Sequence, residues 1–143
     1  MQEELISFET AKLAKEKNFK EDCTHIYCKN TTCNHLMEPY KYSYKVNGNA
    51  DIKDNLGYGI TWSAPTQSLL QKWLREKHNL HLYITPLGDM DRYVSYSCFL
   101  YEPHEQCYNW HCGKEYEPIG VIKYCDTYEE ALEAGLQEAL KQI

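Results

Sequence analysis

Thirteen consecutive residues, CTHIYCKNTTCNH (23–35), hold three cysteines and two histidines. Thiolate and imidazole are the usual ligands of structural zinc, and a cysteine with a histidine base makes a thiol nucleophile. Cys23, Cys28 and Cys33 follow one another at five-residue steps, and His25 and His35 each come two positions after a cysteine. A second group, Cys107, His111 and Cys112, repeats the five-residue step. Two loops could therefore supply four zinc ligands, for example Cys28, Cys33, Cys107 and Cys112. Zinc sites favour ligand pairs two to four residues apart, and that tight pair is missing. The simpler expectation is free cysteines in loops, or thiols packed as small hydrophobes. A thiol enzyme needs its histidine placed as a base in space, which adjacency in sequence does not provide.

No other stretch carries a recognisable reaction centre. The chain has no glycine-rich phosphate loop, no HExxH and no nucleophile elbow. The expectation is a protein that is not an enzyme and needs no cofactor, with zinc as the alternative. Seven cysteines is an odd number, and the N-terminal MQEELISFETAKLAKEK lacks the basic-then-apolar profile of a secretory signal. Reduced thiols in the cytoplasm are expected rather than a disulfide framework. No window of eighteen apolar residues predicts a membrane span.

The formal charge of −6 argues against a nucleic-acid partner, because binding a phosphate backbone requires clustered Lys and Arg. Two local clusters, Lys12/Lys15/Lys17/Lys20 and Lys72/Arg75/Lys77, read as solvated helix faces. Aromatic residues are abundant, and thirteen of them are tyrosine. In YKYSYKV (40–46) the tyrosines alternate with Lys41, Ser43 and Lys45, the pattern of a half-buried strand. Core and cross-strand packing is the expected use of Tyr40, Tyr42 and Tyr44; a stacking platform is disfavoured because the lysines alternate to the other face.

The elements that must position these residues follow from periodicity. A helix is predicted over about 5–17, capped by Ser7, with Phe8, Ala11 and Ala14 on one face and Asn18 as its stop. Residues 20–60 are the least regular part, broken by the strand at 40–46 and an Asn47-Gly48 turn. A second helix runs from Pro65 to His78-Asn79, capped by Ser63 or Thr66, with Leu69, Leu70, Trp73 and Leu74 along one stripe. Strands follow at 80–84, 92–101 and 119–124, with a turn at 88–91 and a loop at 102–118. A last helix is capped by Thr127 with Glu130, and Leu132, Gly135, Leu136, Ala139 and Leu140 form its apolar face. The expected fold is a single α+β domain. Its core at 61–143 is helix, three antiparallel strands, helix, with the helices on one face of the small sheet. Residues 1–60 add the first helix and an irregular Cys/Tyr-rich insertion.

The segments ISFETAKLAKEKNF, APTQSLLQKWLREKHN (64–79) and TYEEALEAGLQEALKQI together resemble a family of small proteins encoded by phages and prophages of gut Bacteroidetes. The resemblance covers about a third of the chain and departs from the family where Asn18 replaces a helix-ending glycine. It implies a setting inside a bacterial host cell and no residue roles. The helix–three strands–helix order is also similar to double-stranded-RNA-binding domains, but Asp126, Glu129 and Glu130 occupy the place of their basic cluster. The leading expectation is a non-enzymatic binding protein that engages a host or phage protein, modulation of host defence included. Trp73, Tyr83 and Trp110 are its candidate contact residues. A zinc-stabilised module and a nucleic-acid or nucleotide binder are the alternatives.

Overall fold

The computed structural model describes residues 3–30, 39–49, 58–87, 95–101 and 120–143. The chain divides into two compact units, residues 1–70 and 71–143. Both are built on a three-stranded antiparallel sheet, and the α+β class is the one expected.

The first unit opens with helix α1 (Phe8–Glu16). Ser7 is its N-cap, its hydroxyl accepting the Thr10 N–H at 3.3 Å, which satisfies one of the amides that a helix start leaves free. Asn18 ends it with φ 60°, the left-handed turn that Asn tolerates. Leu5 does not belong to the helix as predicted; it pairs with Thr66 in an isolated antiparallel bridge. The sheet has β1 (Cys23–Asn30) at its centre, between β2 (Tyr40–Val46) and β3 (Tyr58–Ser63). The prediction of irregular structure at 20–60 is therefore corrected for 23–30, which forms the middle strand. Both of its faces are covered: Ile26 and Cys28 are buried on one and Tyr27 on the other. A strand buried on both sides shows no alternation of apolar with polar residues, the signal that marks a strand in sequence.

The turn after β2 closes over this sheet. Asn49 Oδ1 accepts the Ser63 N–H at 2.9 Å, and its Nδ2 donates to the Phe19 carbonyl at 2.7 Å. The Thr61 hydroxyl donates to the Gly48 carbonyl at 2.8 Å. One amide side chain and one hydroxyl thus pin the turn to β3 and to the end of α1.

Helix α2 (Gln67–His78) begins with Thr66 as its cap, the hydroxyl accepting the Leu69 N–H at 3.3 Å. Pro65 precedes the cap instead of lying in the first turn, and its carbonyl accepts the Ile6 N–H at 3.1 Å. Asn79, φ 55°, ends α2 as expected. The second unit continues with β4 (His81–Leu87), β5 (Ser95–Tyr101) and β6 (Gly120–Cys125), in the order β4-β5-β6, the predicted antiparallel meander. Helix α3 (Tyr128–Lys141) starts at Thr127, whose hydroxyl accepts the Glu130 N–H at 3.1 Å. It packs on all three strands. Leu132, Gly135, Leu136, Ala139 and Leu140 are buried, as their spacing predicts. The predicted turn at 88–91, the loop at 102–118 and the polar stretch at 50–57 lie outside the described residues. No helix among the described residues is long and apolar enough to cross a membrane.

Candidate binding faces and buried thiols

The three candidate contact residues have different fates. Trp73 is buried, at 6 % relative exposure, with its ring edge-on to His78 at a centroid distance of 4.5 Å. It fills the apolar stripe of α2 and is withdrawn as a surface anchor. Trp110 lies outside the described residues. Tyr83 is 67 % exposed, the most exposed of the large hydrophobic side chains described.

Tyr83 owes its position to strand alternation. On β4, Leu82 is buried and its register partner Leu100 is buried with it, under α3. The intervening residues His81, Tyr83 and Thr85 face away from α3. Phe99, half-buried, stands directly across from Tyr83 on β5, the closest pairing a sheet face offers. His81 is half-buried beside them, and its pKa is lowered by burial and then by the nearby charge of Arg75. The neutral imidazole is favoured, so this end of the face is an aromatic surface with a guanidinium at its margin.

Among the described residues β4 is the edge of its sheet, and unpaired edge groups invite strand addition. Here the edge is blunted. Gln71 Nε2 donates to the Leu82 carbonyl at 3.3 Å, and Pro86, four pairs further along, has no N–H to offer. A partner would read the side chains of the β4–β5 face more readily than it would extend the sheet.

The first unit presents a second face. Tyr27 on β1 and Trp62 on β3 are register partners, and Phe8 of α1 meets both rings edge-on, at 5.4 and 5.0 Å between centroids. The Tyr27 hydroxyl donates to the Ile6 carbonyl at 2.8 Å. Lys15 Nζ lies 5.6 Å from the Trp62 ring centroid and donates to the Thr61 carbonyl at 2.8 Å. Lys12 Nζ lies 5.3 Å from the Phe8 ring centre and pairs with Glu9 at 2.6 Å. Beyond Tyr27 and Trp62 come the register partners Lys29 and Ile60, the latter 46 % exposed. On the opposite side of Tyr27 comes His25, across from the exposed Lys41 on β2. The His25 pKa is lowered by burial and then by Lys41.

Three of the four cysteines among the described residues, Cys23, Cys28 and Cys98, are buried packing residues. Cys28, expected in a ligand-bearing loop, is buried on the central strand. Cys33, Cys107 and Cys112, the other members of the proposed zinc set, lie outside the described residues. Among the described residues no three His, Cys, Asp or Glu side chains gather as a metal site would require. Burial pushes the Cys23 thiol up, against the weaker opposing pull of the Ser63 hydroxyl and neighbouring backbone groups. Cys98, fully buried under α3, is pushed up to about 12 by burial and by the proximity of Cys125. Reactive thiols have lowered pKa values and solvent access; these two have neither. Alkylation of the native protein with iodoacetamide at pH 8, followed by peptide mapping, is expected to leave Cys98 unmodified and to modify it fully once the chain is unfolded in urea. The raised pKa also fixes a sign. The unfolded thiol ionises near 9.0 while the native one holds its proton, so the Cys98 contribution to stability is complete below pH 9 and falls as pH rises through the alkaline range.

Of the residues on these two faces, the sequence names Tyr83, which is exposed, and does not name Lys29, Ile60 or Trp62. The signal for the latter was available only as a register: nothing in the sequence says which residues of 58–63 lie opposite 26–30. No family model, curated protein or solved structure matches this chain.

Proposed function

We propose that this chain is a non-catalytic binding protein of the phage- or prophage-encoded kind, acting in the bacterial cytoplasm on a host or phage protein. The observation that carries the reading is Tyr83: a large ring, 67 % exposed, standing on a strand whose other face is the core and paired across the sheet with Phe99. Rigid, half-apolar side chains with few rotamers to lose make efficient interface anchors, and Tyr and Arg are enriched at such points. Arg75 beside His81 adds a charged group at the margin. The buried, protonated state of the Cys23 and Cys98 thiols supports a non-catalytic role. The resemblance of residues 64–79 and of the last helix to phage-encoded proteins supplies the setting.

The test is capture of a partner from host lysate, followed by an affinity measurement with the purified partner. Tyr83→Ser is expected to weaken binding by about thirtyfold, the effect of losing one anchor worth about 2 kcal/mol, with only a small fall in melting temperature, because the exposed side chain gives up its cross-strand contact with Phe99 and no core packing. A partner bound equally well by the variant would remove this face from the function.

A further inference from the structure

The turn after β2 reads Asn47-Gly48, a pair whose side chain and backbone can react with each other. The Gly48 amide nitrogen attacks the Asn47 side-chain carbon Cγ, a C–N bond forms, and ammonia leaves with the proton that the amide gives up. Water then opens the five-membered imide at either carbonyl. One opening yields aspartate. The other yields isoaspartate, in which the main chain runs through the side-chain carbon and is one methylene longer. No electrons change hands, and water is the only co-reactant. Glycine in the second position favours ring closure, because no Cβ shields the attacking nitrogen.

Closure requires the Asn47 carboxamide and the Gly48 peptide to turn toward each other, and the fold holds both. Asn47 Oδ1 accepts the Asn49 N–H at 3.0 Å. Gly48 is buried, its carbonyl accepts the Thr61 hydroxyl at 2.8 Å, and an added Cβ would stand 3.0 Å from the Ser63 nitrogen. Asn49 is fixed in its turn, accepting the Ser63 N–H at 2.9 Å and donating to the Phe19 carbonyl at 2.7 Å. Bringing the nitrogen to Cγ means giving up the Asn47–Asn49 bond, and turning the peptide moves Gly48 off β3.

The same packing separates the two products. Aspartate keeps an oxygen in the place of Oδ1 and can accept the same N–H. Isoaspartate lengthens the backbone just before a glycine that has no room for a methyl. The longer chain cannot bring the Gly48 carbonyl to Thr61 and the Asn49 side chain to Ser63 together.

We propose that Asn47 is a site of spontaneous modification gated by the fold: closed while the first unit is folded, reactive when its turn opens, and irreversible once isoaspartate has formed. The proposal is independent of the Tyr83 reading, which concerns the second unit.

The test incubates the full chain in mildly alkaline buffer, with and without urea, and follows residues 46–49 by peptide mapping that separates aspartate from isoaspartate. Reaction through an open state scales with the population of that state, so conversion of Asn47 is expected to be at least about tenfold slower in the native chain than in urea. A peptide spanning residues 44–52, which has no fold to protect it, should react at the fast rate in both buffers. Thr61→Val withdraws the hydroxyl from the Gly48 carbonyl at nearly constant shape. It should speed native conversion about fivefold, the effect of one hydrogen bond, and leave the rate in urea unchanged; the urea comparison stands without this variant. Chains refolded after conversion are then compared by amide hydrogen exchange. Those with aspartate should match the parent, as should Asn47→Asp, and those with isoaspartate should exchange faster in β1 and β3 with α3 unaffected. Equal rates in the native chain and the peptide, a folded Thr61→Val that reacts no faster than the parent, or isoaspartate chains that regain the parent's exchange would each overturn the proposal.

Discussion

Gly48→Ala is expected to lower the free energy of unfolding of the first unit by about 2–3 kcal/mol, the cost of forcing a methyl into a packed site. A Cβ at position 48 would lie 3.0 Å from the Ser63 nitrogen and 3.1 Å from its Cα, and would run into the Ile26 Cγ2 methyl. Two of those three neighbours are backbone atoms of β3, held in the sheet by pairing with β1. They can give way only if the ladder does. Moving the turn outward instead would stretch the hydrogen bond from Thr61 to the Gly48 carbonyl and the one from the Ser63 N–H to Asn49. Ile26→Ala in the same chain removes the methyl, the shortest of the three approaches, but empties a fully buried position, so it should not restore the parent stability. Urea denaturation gives the free energy, and amide hydrogen exchange gives the location: faster exchange should appear in β1 and β3, with α3 unaffected. Unchanged exchange in β1 and β3 would show that the turn does not lie against the strand as described.

The same site shows what sequence reading reaches and where it stops. Asn47-Gly48 is legible as a turn because the residue types constrain the backbone locally. That Gly48 must be glycine is not legible, because the reasons are Ile26 and Ser63, twenty-two and fifteen positions away and on two other strands. The helices follow the same division. Ser7, Thr66 and Thr127 as caps and Asn18 and Asn79 as stops are local choices, and each is found where its chemistry placed it. The 3.6-residue period likewise located the buried stripe of α3. β1 lacked any such signal, since Ile26, Tyr27 and Cys28 are consecutive and all buried. The binding faces divide similarly. Tyr83 could be picked from strand alternation alone. Trp73 suits an anchor by residue type alone, but its helical spacing with Leu70 and Leu74 ties it to the core. The surface around Trp62 and Ile60 exists only because β1, β2 and β3 bring together residues up to thirty-seven positions apart, and because Lys15 of α1 reaches Trp62 across forty-seven.

Burial of cysteine shapes the last expectation, in which two substitutions correct each other. In α3, Gly135 faces β4 and β5: a Cβ there would overlap Cys98 Sγ and lie 3.2 Å from Leu82 Cδ2 and 3.3 Å from Cys98 Cβ. Two effects oppose each other in Gly135→Ala. Alanine in a helix interior is favoured over glycine by about 1 kcal/mol, whereas overpacking against a fixed neighbour costs about 1–3 kcal/mol. Cys98 is fully buried and its side chain has one rotatable bond, so its sulfur cannot swing into solvent to make room. The steric term should win, with a net loss of about 1–2 kcal/mol once propensity is subtracted. Cys98→Ala removes the sulfur and leaves a small void where the new methyl would go. In that background Gly135→Ala should stabilise, because the helix gain remains and the clash does not. The double-mutant cycle should therefore show a coupling of about 2–3 kcal/mol, large for a single pair and at the upper end of what contacting residues display. Thermal or urea denaturation of the four proteins measures it. A coupling near zero would mean that α3 is not seated on β5 through Gly135, and the sulfur would then be a neighbour of the helix rather than the reason for its glycine.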